Sequence, residues 1–223
     1  MPSETDLLAR ARSLGGCTIG ELARDLGLDV PADLRRHKGF VGRLAEQALG
    51  ATAGSSAGPD FPELGLELKT LPVDRTGTVR ESTYVCRVPL ARIAELDWGR
   101  SPVRKKLARI LFWIVELDPQ VELRDRRFGA ALCWSPSSSQ ESLLSADWHE
   151  LAGLLGSGEV EDVDARRGVA LQIRPKAASS RVVARAFDGE GAPVWAKPRG
   201  VYLRARFTTS ILRDAGLTSP DGS

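Results

Sequence analysis

Asp60-Phe-Pro-Glu-Leu-Gly-Leu-Glu-Leu-Lys-Thr-Leu71 is the most informative segment of the 223-residue chain. From Leu66 onward, apolar and polar residues alternate, which is the period of a half-buried strand. Side chains two apart on a strand share a face, so Glu67 and Lys69 project together with the backbone carbonyl of Leu68 close by. Asp60 lies on the loop entering the strand and can fold back to meet Glu67. Two carboxylates and a carbonyl make a hard oxygen donor set, and Mg²⁺ prefers such ligands. A cation there would lower the pKa of a bound water and stabilise charge on a phosphate in flight. Lys69 would orient that water or neutralise the developing oxyanion. The plain alternative is an exposed Glu-x-Lys ion pair, worth about 0–1 kcal/mol. Glu46, on the helix before the next loop upstream, is a candidate fourth member of the group.

Outward from this segment, the first fifty residues read as helical. Leu7, Leu8, Ala11 and Leu14 recur at helical spacing, and Thr18-Ile19-Gly20-Glu21 is a capping box for a helix stopping at Gly27. Pro31 suits the first residue of a short helical turn, and Gly39 to Leu49 reads as a helix ended by Gly50. Ala51 to Pro59 is a small Gly/Ser-rich loop without the Gly-Lys-Ser/Thr ending of a phosphate-binding loop, which excludes an ATP site there.

Downstream, Asp74-Arg-Thr-Gly77 is a turn signal, and a second strand from about Thr78 to Pro89 is expected to pair with the first as a hairpin. Ser101 to Arg109 begins helix-like and passes into a strand through Val115. Strands are expected at Ala130 to Trp134, Val169 to Arg174 and Val201 to Arg206, and a long helix from Ser138 to Leu155. Thr208 would cap a final short helix, and the chain from Leu217 reads as a frayed tail. The expected architecture is one mixed α/β domain. It has a helical part over about 1–50, a catalytic hairpin over about 60–90 and a basic part over about 166–213.

Composition narrows the function classes. No apolar run approaches the roughly 18 residues of a membrane span, and the acidic start Met1-Pro-Ser-Glu-Thr-Asp6 lacks the apolar core of a secretory signal, so a cytoplasmic protein is expected. Cys17, Cys86 and Cys133 are odd in number and widely spaced, which suggests small core residues rather than disulfides. His37 and His149 cannot build a His-rich zinc site by themselves. The net charge of +2 conceals an asymmetry. Arg166 to Arg213 holds eleven basic residues against Asp188 and Glu190, so this segment carries +9 and the remainder −7. Arg104, Lys105, Lys106 and Arg109 form a second basic cluster. That distribution fits a phosphate-backbone binder.

Five ordered stretches carry a family resemblance: Lys38-Gly-Phe-Val-Gly42, Leu64 to Asp74, Val103-Arg-Lys-Lys-Leu107, Leu171-Gln-Ile-Arg-Pro-Lys-Ala177 and Pro198-Arg-Gly-Val-Tyr-Leu203. In these the sequence resembles the MutH family, the strand-nicking endonucleases of methyl-directed mismatch repair. The resemblance implies a type II restriction-endonuclease-like fold with a central mixed sheet and two lobes around a DNA cleft. It implies nicking of the unmethylated strand at hemimethylated GATC with Mg²⁺, for which Mn²⁺ substitutes. It also implies activation by the MutL-type mismatch-repair ATPase and, indirectly, by the mismatch-recognition protein. By position, Glu46, Asp60, Glu67, Lys69 and Lys106 match the family's active centre. Lys38 and Gly39 match a loop touching the recognition sequence, Arg174 a base-contacting arginine and Tyr202 a tyrosine that senses adenine methylation. Tyr84 stands where a relative carries Phe, adding a hydroxyl.

Methylation of adenine N6 removes its major-groove donor and adds bulk. Steric misfit of one methyl discriminates by only about 10–200-fold, whereas an acceptor left unpaired discriminates by about 10⁴ or more. A strand choice that is strong therefore needs a polar component at the sensor. Two other readings share parts of the pattern: a GATC-specific restriction enzyme cutting both strands, and a non-catalytic DNA-binding module with an accidental Asp…Glu-x-Lys.

Overall fold

The computed structural model describes residues 2–34, 37–52, 58–160, 163, 165–176 and 181–218. Residues 53–57 of the expected Gly/Ser loop, 177–180 of the basic segment and 219–223 of the expected tail lie outside them. The fold is mixed α/β, as expected, and divides into two compact units. Residues 1–81, 108–135 and 209–223 form the first, and residues 82–107 and 136–208 the second. No helix among the described residues is long and apolar enough to cross a membrane.

The first unit begins with α1 (Glu4–Ser13) and α2 (Ile19–Asp25), each opened by a complete capping box, Ser3/Asp6 and Thr18/Glu21. The third helix, α3 (Phe40–Leu49), starts after Gly39 and ends at Gly50, both left-handed. Residues 31–34 form bends and a turn rather than the helical turn expected at Pro31. These helices bury Leu7, Ala11, Leu22, Leu44 and Ala48 against Leu66, Leu68, Leu111 and Trp113 of the sheet. Each such burial of a large aliphatic side chain contributes about 1.5–3 kcal/mol.

That sheet has the order β1 (Glu67–Val73), β3 (Ile110–Glu116), β4 (Phe128–Trp134). The expected hairpin over 60–90 does not form. The turn at Asp74 does, with Asp74 Oδ1 accepting from Thr76 N at 2.9 Å and Thr78 N at 3.1 Å, but the return is a single bridge between Val73 and Val79. The place beside β1 belongs to β3, which runs parallel to it with Glu67 opposite Ile110 and Lys69 opposite Phe112. The reason lies in composition. Ile110-Leu-Phe-Trp-Ile-Val115 is apolar throughout and suits a central strand buried on both faces, whereas Arg80, Glu81 and Ser82 do not. Pro72 is compatible with β1 because β1 is an edge strand.

The second unit contains α4 (Pro102–Leu107), α5 (Ser138–Gly156) and a sheet of β2 (Thr83–Arg87), β8 (Arg199–Leu203) and β5 (Leu171–Pro175), with β8 central and antiparallel to both neighbours. A separate ribbon, β6 (Ala184–Phe187) with β7 (Pro193–Ala196), is a missed element whose signal was the turn-rich Asp188-Gly-Glu-Gly191. The last helix, α6 (Ala205–Asp214), starts before Thr208. Thr208 is therefore inside the helix, its hydroxyl donating to the carbonyl of Ala205 at 3.0 Å, and is not the cap. Leu217 N still donates to Leu212 O at 2.9 Å, so the chain is anchored through that residue rather than frayed from it. The three cysteines are free and half-buried.

One buried carboxylate sets the entry into β5. Asp147 on α5 is almost wholly buried and accepts from the backbone N–H groups of Val169 (2.9 Å), Ala170 (2.6 Å) and Leu171 (2.7 Å). Arg204 grips the same loop from its carbonyls, donating to Ala165 O at 2.7 Å. Asp147→Ala would leave several buried N–H groups without an acceptor. We expect a loss of about 2–5 kcal/mol in urea unfolding, with Asp147→Asn intermediate because one acceptor oxygen survives. Equal stability of wild type and Asp147→Ala would contradict this account of the clamp.

Candidate active site

In the first unit, the approach to β1 is a tight fold-back. Pro62–Leu64 forms a single 3-10 turn, and Gly65 follows with φ of 61°. That left-handed conformation costs glycine little and other residues more. It lets Phe61 and Leu66 bridge, with Phe61 N donating to Leu66 O at 2.9 Å and Leu66 N to Phe61 O at 3.2 Å. Extending that antiparallel register by one residue places Asp60 opposite Glu67. The carboxylate of Asp60 then accepts from Leu68 N at 2.8 Å. The two carboxylates expected to converge are thus brought together by a loop of four residues between the bridge partners.

Glu67 is 3% exposed, an unusual position for a carboxylate. Lys69 meets it on the same strand face, Nζ to Oε1 at 2.5 Å, and is itself 20% exposed. Burial of a lone charge is costly, so this pairing is what lets Glu67 stay inside; removal of one partner of a buried pair typically costs about 3–5 kcal/mol. Glu46 approaches from α3. Burial pushes its carboxyl pKa up, the charges of Asp60 and Glu67 push in the same direction, and Lys69 and Arg43 oppose them. Glu46, Asp60, Glu67 and Lys69 therefore influence one another electrostatically.

The chemistry of this donor set fits a hard divalent cation. Among the described residues no three His, Cys, Asp or Glu side chains form a metal cage. Mg²⁺, however, is ordinarily held by one or two carboxylates with water completing its shell. Asp60, Glu67 and the Leu68 carbonyl would supply that smaller set. Burial is the main cause of the raised Glu46 pKa, and a cation would relieve the smaller part that the charges of Asp60 and Glu67 add.

Of the remaining residues expected at the site, Lys38 and Gly39 form the exposed turn entering α3. Gly39 and Glu46 are seven residues apart, close to two helical turns, and so lie on one side of α3. Lys106 stands on α4 in the second unit.

Tyr84, Arg174 and Tyr202 come together in the second unit, although they are far apart in sequence. Tyr84 on β2 and Gln172 on β5 both sit opposite Tyr202 on β8. The tyrosine rings meet edge-to-face at 5.3 Å, and the Arg174 guanidinium lies 5.7 Å from the Tyr202 ring. Arg174 Nη2 donates to Gln172 Oε1 at 3.2 Å and to Ser82 Oγ at 3.3 Å, and Gln172 Nε2 also donates to Ser82. Lys176 places its ammonium 4.5 Å from the Tyr84 ring. Gly200 makes room for this cluster: a Cβ there would come within 3.1 Å of Tyr84, 3.2 Å of Tyr202 and 3.2 Å of Lys176. Sequence reading passed over Ser82, Gln172 and Lys176. The latter two were within a matched stretch, but nothing local indicated that β2 would join β8.

Comparison with known proteins identifies what carries these two clusters. The family profile described as DNA mismatch repair enzyme MutH matches residues 49–147, a span containing Asp60, Glu67 and Lys69. The DNA mismatch repair protein MutH of Serratia proteamaculans is 48% identical over 210 residues, 94% of this chain and 92% of that protein. Its counterpart in Vibrio vulnificus is 46% identical over 213 residues, covering 96% and 94% of the two chains. That of Vibrio cholerae is 44% identical over 211 residues, covering 95% and 96%. Similarity of this level over nearly the full length of both partners shows that the chain belongs to the MutH family of DNA mismatch repair enzymes.

Proposed function

We propose that this chain is a Mg²⁺-dependent endonuclease that nicks the unmethylated strand at hemimethylated GATC sites during mismatch repair. The observation that carries the reading is the convergence of Asp60, Glu67 and Lys69 on one short strand and its fold-back, with Glu46 alongside. Family membership supports the setting in mismatch repair.

Asp60, Glu67 and the Leu68 carbonyl would hold the metal, and Mn²⁺ would replace Mg²⁺. When bound, the cation supplies positive charge against the phosphate. The protein's own groups do the rest. Lys69, whose Nζ already rests on a Glu67 oxygen, donates to a phosphate oxygen or the incoming water as charge develops. The water oxygen joins phosphorus while one P–O bond of the strand breaks. Glu46, with its raised proton affinity, is the carboxyl of this group best suited to take up a proton. Lys106, on α4, is the further lysine that the family resemblance implies for the reaction. Lys38 and Gly39 touch the recognition sequence.

Reading of the sequence falls to the second cluster. The Arg174 guanidinium is held by Gln172 and Ser82, which presets its fork for the two acceptors of guanine. Tyr202, packed on Tyr84, is the methylation sensor: it positions or supplies the acceptor for the adenine N6 donor. Activation comes from a MutL-type ATPase and, through it, the mismatch-recognition protein. The place of action is the cytoplasm, on nucleoid DNA.

Two measurements test the reading. The first uses a hemimethylated GATC plasmid with Mg²⁺ and the activating ATPase. Wild type should yield nicked circles broken in the unmethylated strand, and Asp60→Ala should lose about 10³-fold or more in rate. Tyr202→Phe and Tyr202→Ala should shift the ratio of unmethylated to methylated nicks. Linear product would favour a restriction enzyme, an active Asp60→Ala would favour a binding module, and a wild-type ratio in both Tyr202 variants would remove it as sensor.

The second concerns linkage. The folded-state pKa of Glu46 exceeds its unfolded value, so the folded state binds more protons between the two, and stability falls as pH rises through that window. With a chelator present, wild type should lose stability above the ordinary glutamate pKa of 4.5, and Glu46→Gln should flatten that decline and be the more stable protein at neutral pH. Identical pH profiles in urea unfolding would contradict the crowding of carboxylates.

A further inference from the structure

The ribbon of β6 and β7 is used by none of the chemistry above, and its two faces differ sharply. Its inner face is small and buried, with Ala186 and Ala196 each under a tenth exposed. Its outer face has the opposite character. Arg185 pairs directly with Trp195 across the ribbon, and Val183 and Lys197 continue the same face by strand alternation. Trp195 is 73% exposed and Val183 is 51% exposed. An indole left in water on a regular strand is an unusual expense, and tryptophan beside arginine is a frequent contact pair.

This face is braced rather than loose. β6 packs against the segment Leu90–Glu95. The turn closes on itself through Asp188, whose Oδ1 accepts from Glu190 N at 3.0 Å and Ala192 N at 2.8 Å. A Cβ built at Gly158 would collide with the backbone of Asp188 and Gly189, so the turn rests directly on the chain leaving α5. The ribbon is joined closely to β8. Pro175 pairs with Arg199, Lys176 N donates to Pro198 O at 2.7 Å, and only Lys197 and Pro198 separate β7 from β8, the strand that carries Tyr202.

The charge on the outer face selects the occupant. With the described residues, neither Arg185 nor Lys197 forms an ion pair, and no acidic residue shares the face. Asp188 and Glu190 are confined to the turn. Unneutralised cations around an exposed aromatic match a nucleic-acid backbone: the cations take phosphates and the indole packs on sugar. Tyr202 and Trp195 are seven residues apart, at most about 23 Å along extended chain, equivalent to about seven base-pair steps. That reach exceeds the length of a four-base recognition sequence, about 14 Å.

We propose that the outer face of this ribbon, through Arg185, Trp195 and Lys197, is a second DNA contact that grips duplex flanking the recognition site. The proposal rests on the DNA-reading role of the Tyr84–Arg174–Tyr202 face. Its test compares wild type with the double variant Arg185→Gln/Trp195→Ser, both exposed positions, on GATC duplexes of two lengths. On a duplex of about 30 base pairs the variant should bind about 5–50-fold more weakly, with the slope of log affinity against log salt reduced by about one. On a duplex of about 10 base pairs centred on GATC the two proteins should bind alike. DNA addition should also quench a part of the intrinsic fluorescence that Trp195→Phe lacks. Equal affinity and equal salt slope on the long duplex would overturn the proposal. So would a variant that binds DNA normally but no longer responds to the activating ATPase, which would assign the ribbon to a protein partner. A wild type that does not distinguish GATC from scrambled duplex of either length would instead defeat the reading of the Tyr202 face.

Discussion

The chemistry proposed for this protein depends on holding two carboxylates closer together than electrostatics alone would place them. The means is backbone geometry. Phe61 and Leu66 bridge across a turn closed by left-handed Gly65, and the register of that bridge sets Asp60 against Glu67. The strand that follows cannot shift, because a slip of one residue would take Leu68 out of the core and put Glu67 into it on the wrong face. Parallel pairing with β3, apolar from Ile110 to Val115, fixes this register from the other side. Hydrophobic burial in the core thus supplies the stability that a cluster of like charges consumes.

The cluster is held together chiefly by Lys69, with Arg43 also offsetting the negative charge at Glu46. Lys69 neutralises the more deeply buried of the carboxylates, and Glu46, pushed first by burial and then by the charges of Asp60 and Glu67, holds its proton more tightly. This is the ordinary signature of a site arranged for function rather than for stability. The second unit shows the same economy with a different composition. Asp147 satisfies three consecutive backbone N–H groups at the head of β5, and the strand then presents Gln172 and Arg174 beside the tyrosine pair. Gly200 on the central strand leaves the space in which Tyr84, Tyr202 and Lys176 meet.

How much of this was legible from sequence varied with the range of the interaction. Helices with local caps were readable, as at Ser3/Asp6, Thr18/Glu21 and Ser137/Gln140, because the signal and the structure occupy the same few residues. The Glu67–Lys69 face was readable from strand alternation, and the return of Asp60 from its distance along the loop. Strand pairing was not. The turn at Asp74 is locally well formed and suggested a hairpin, but β3 competes for the same edge with a more apolar surface, and no local feature reports that competition. The same blindness hid the joining of β2 to β8, and with it the roles of Ser82 and Gln172 around Arg174. Thr208 misled for a different reason: a hydroxyl that caps a helix also bonds back to carbonyls within one.

The central claim is that Asp60, Glu67 and the Leu68 carbonyl gather a divalent cation. Its most direct test is a crystal of the protein soaked in Mn²⁺, with the anomalous signal of the metal located in the density. The account predicts a peak in contact with oxygens of residues 60, 67 and 68, with the Lys69 ammonium drawn off Glu67 to make way. A fully occupied Mn²⁺ elsewhere in the molecule, with the Lys69–Glu67 pair intact and no peak between the two carboxylates, would contradict it.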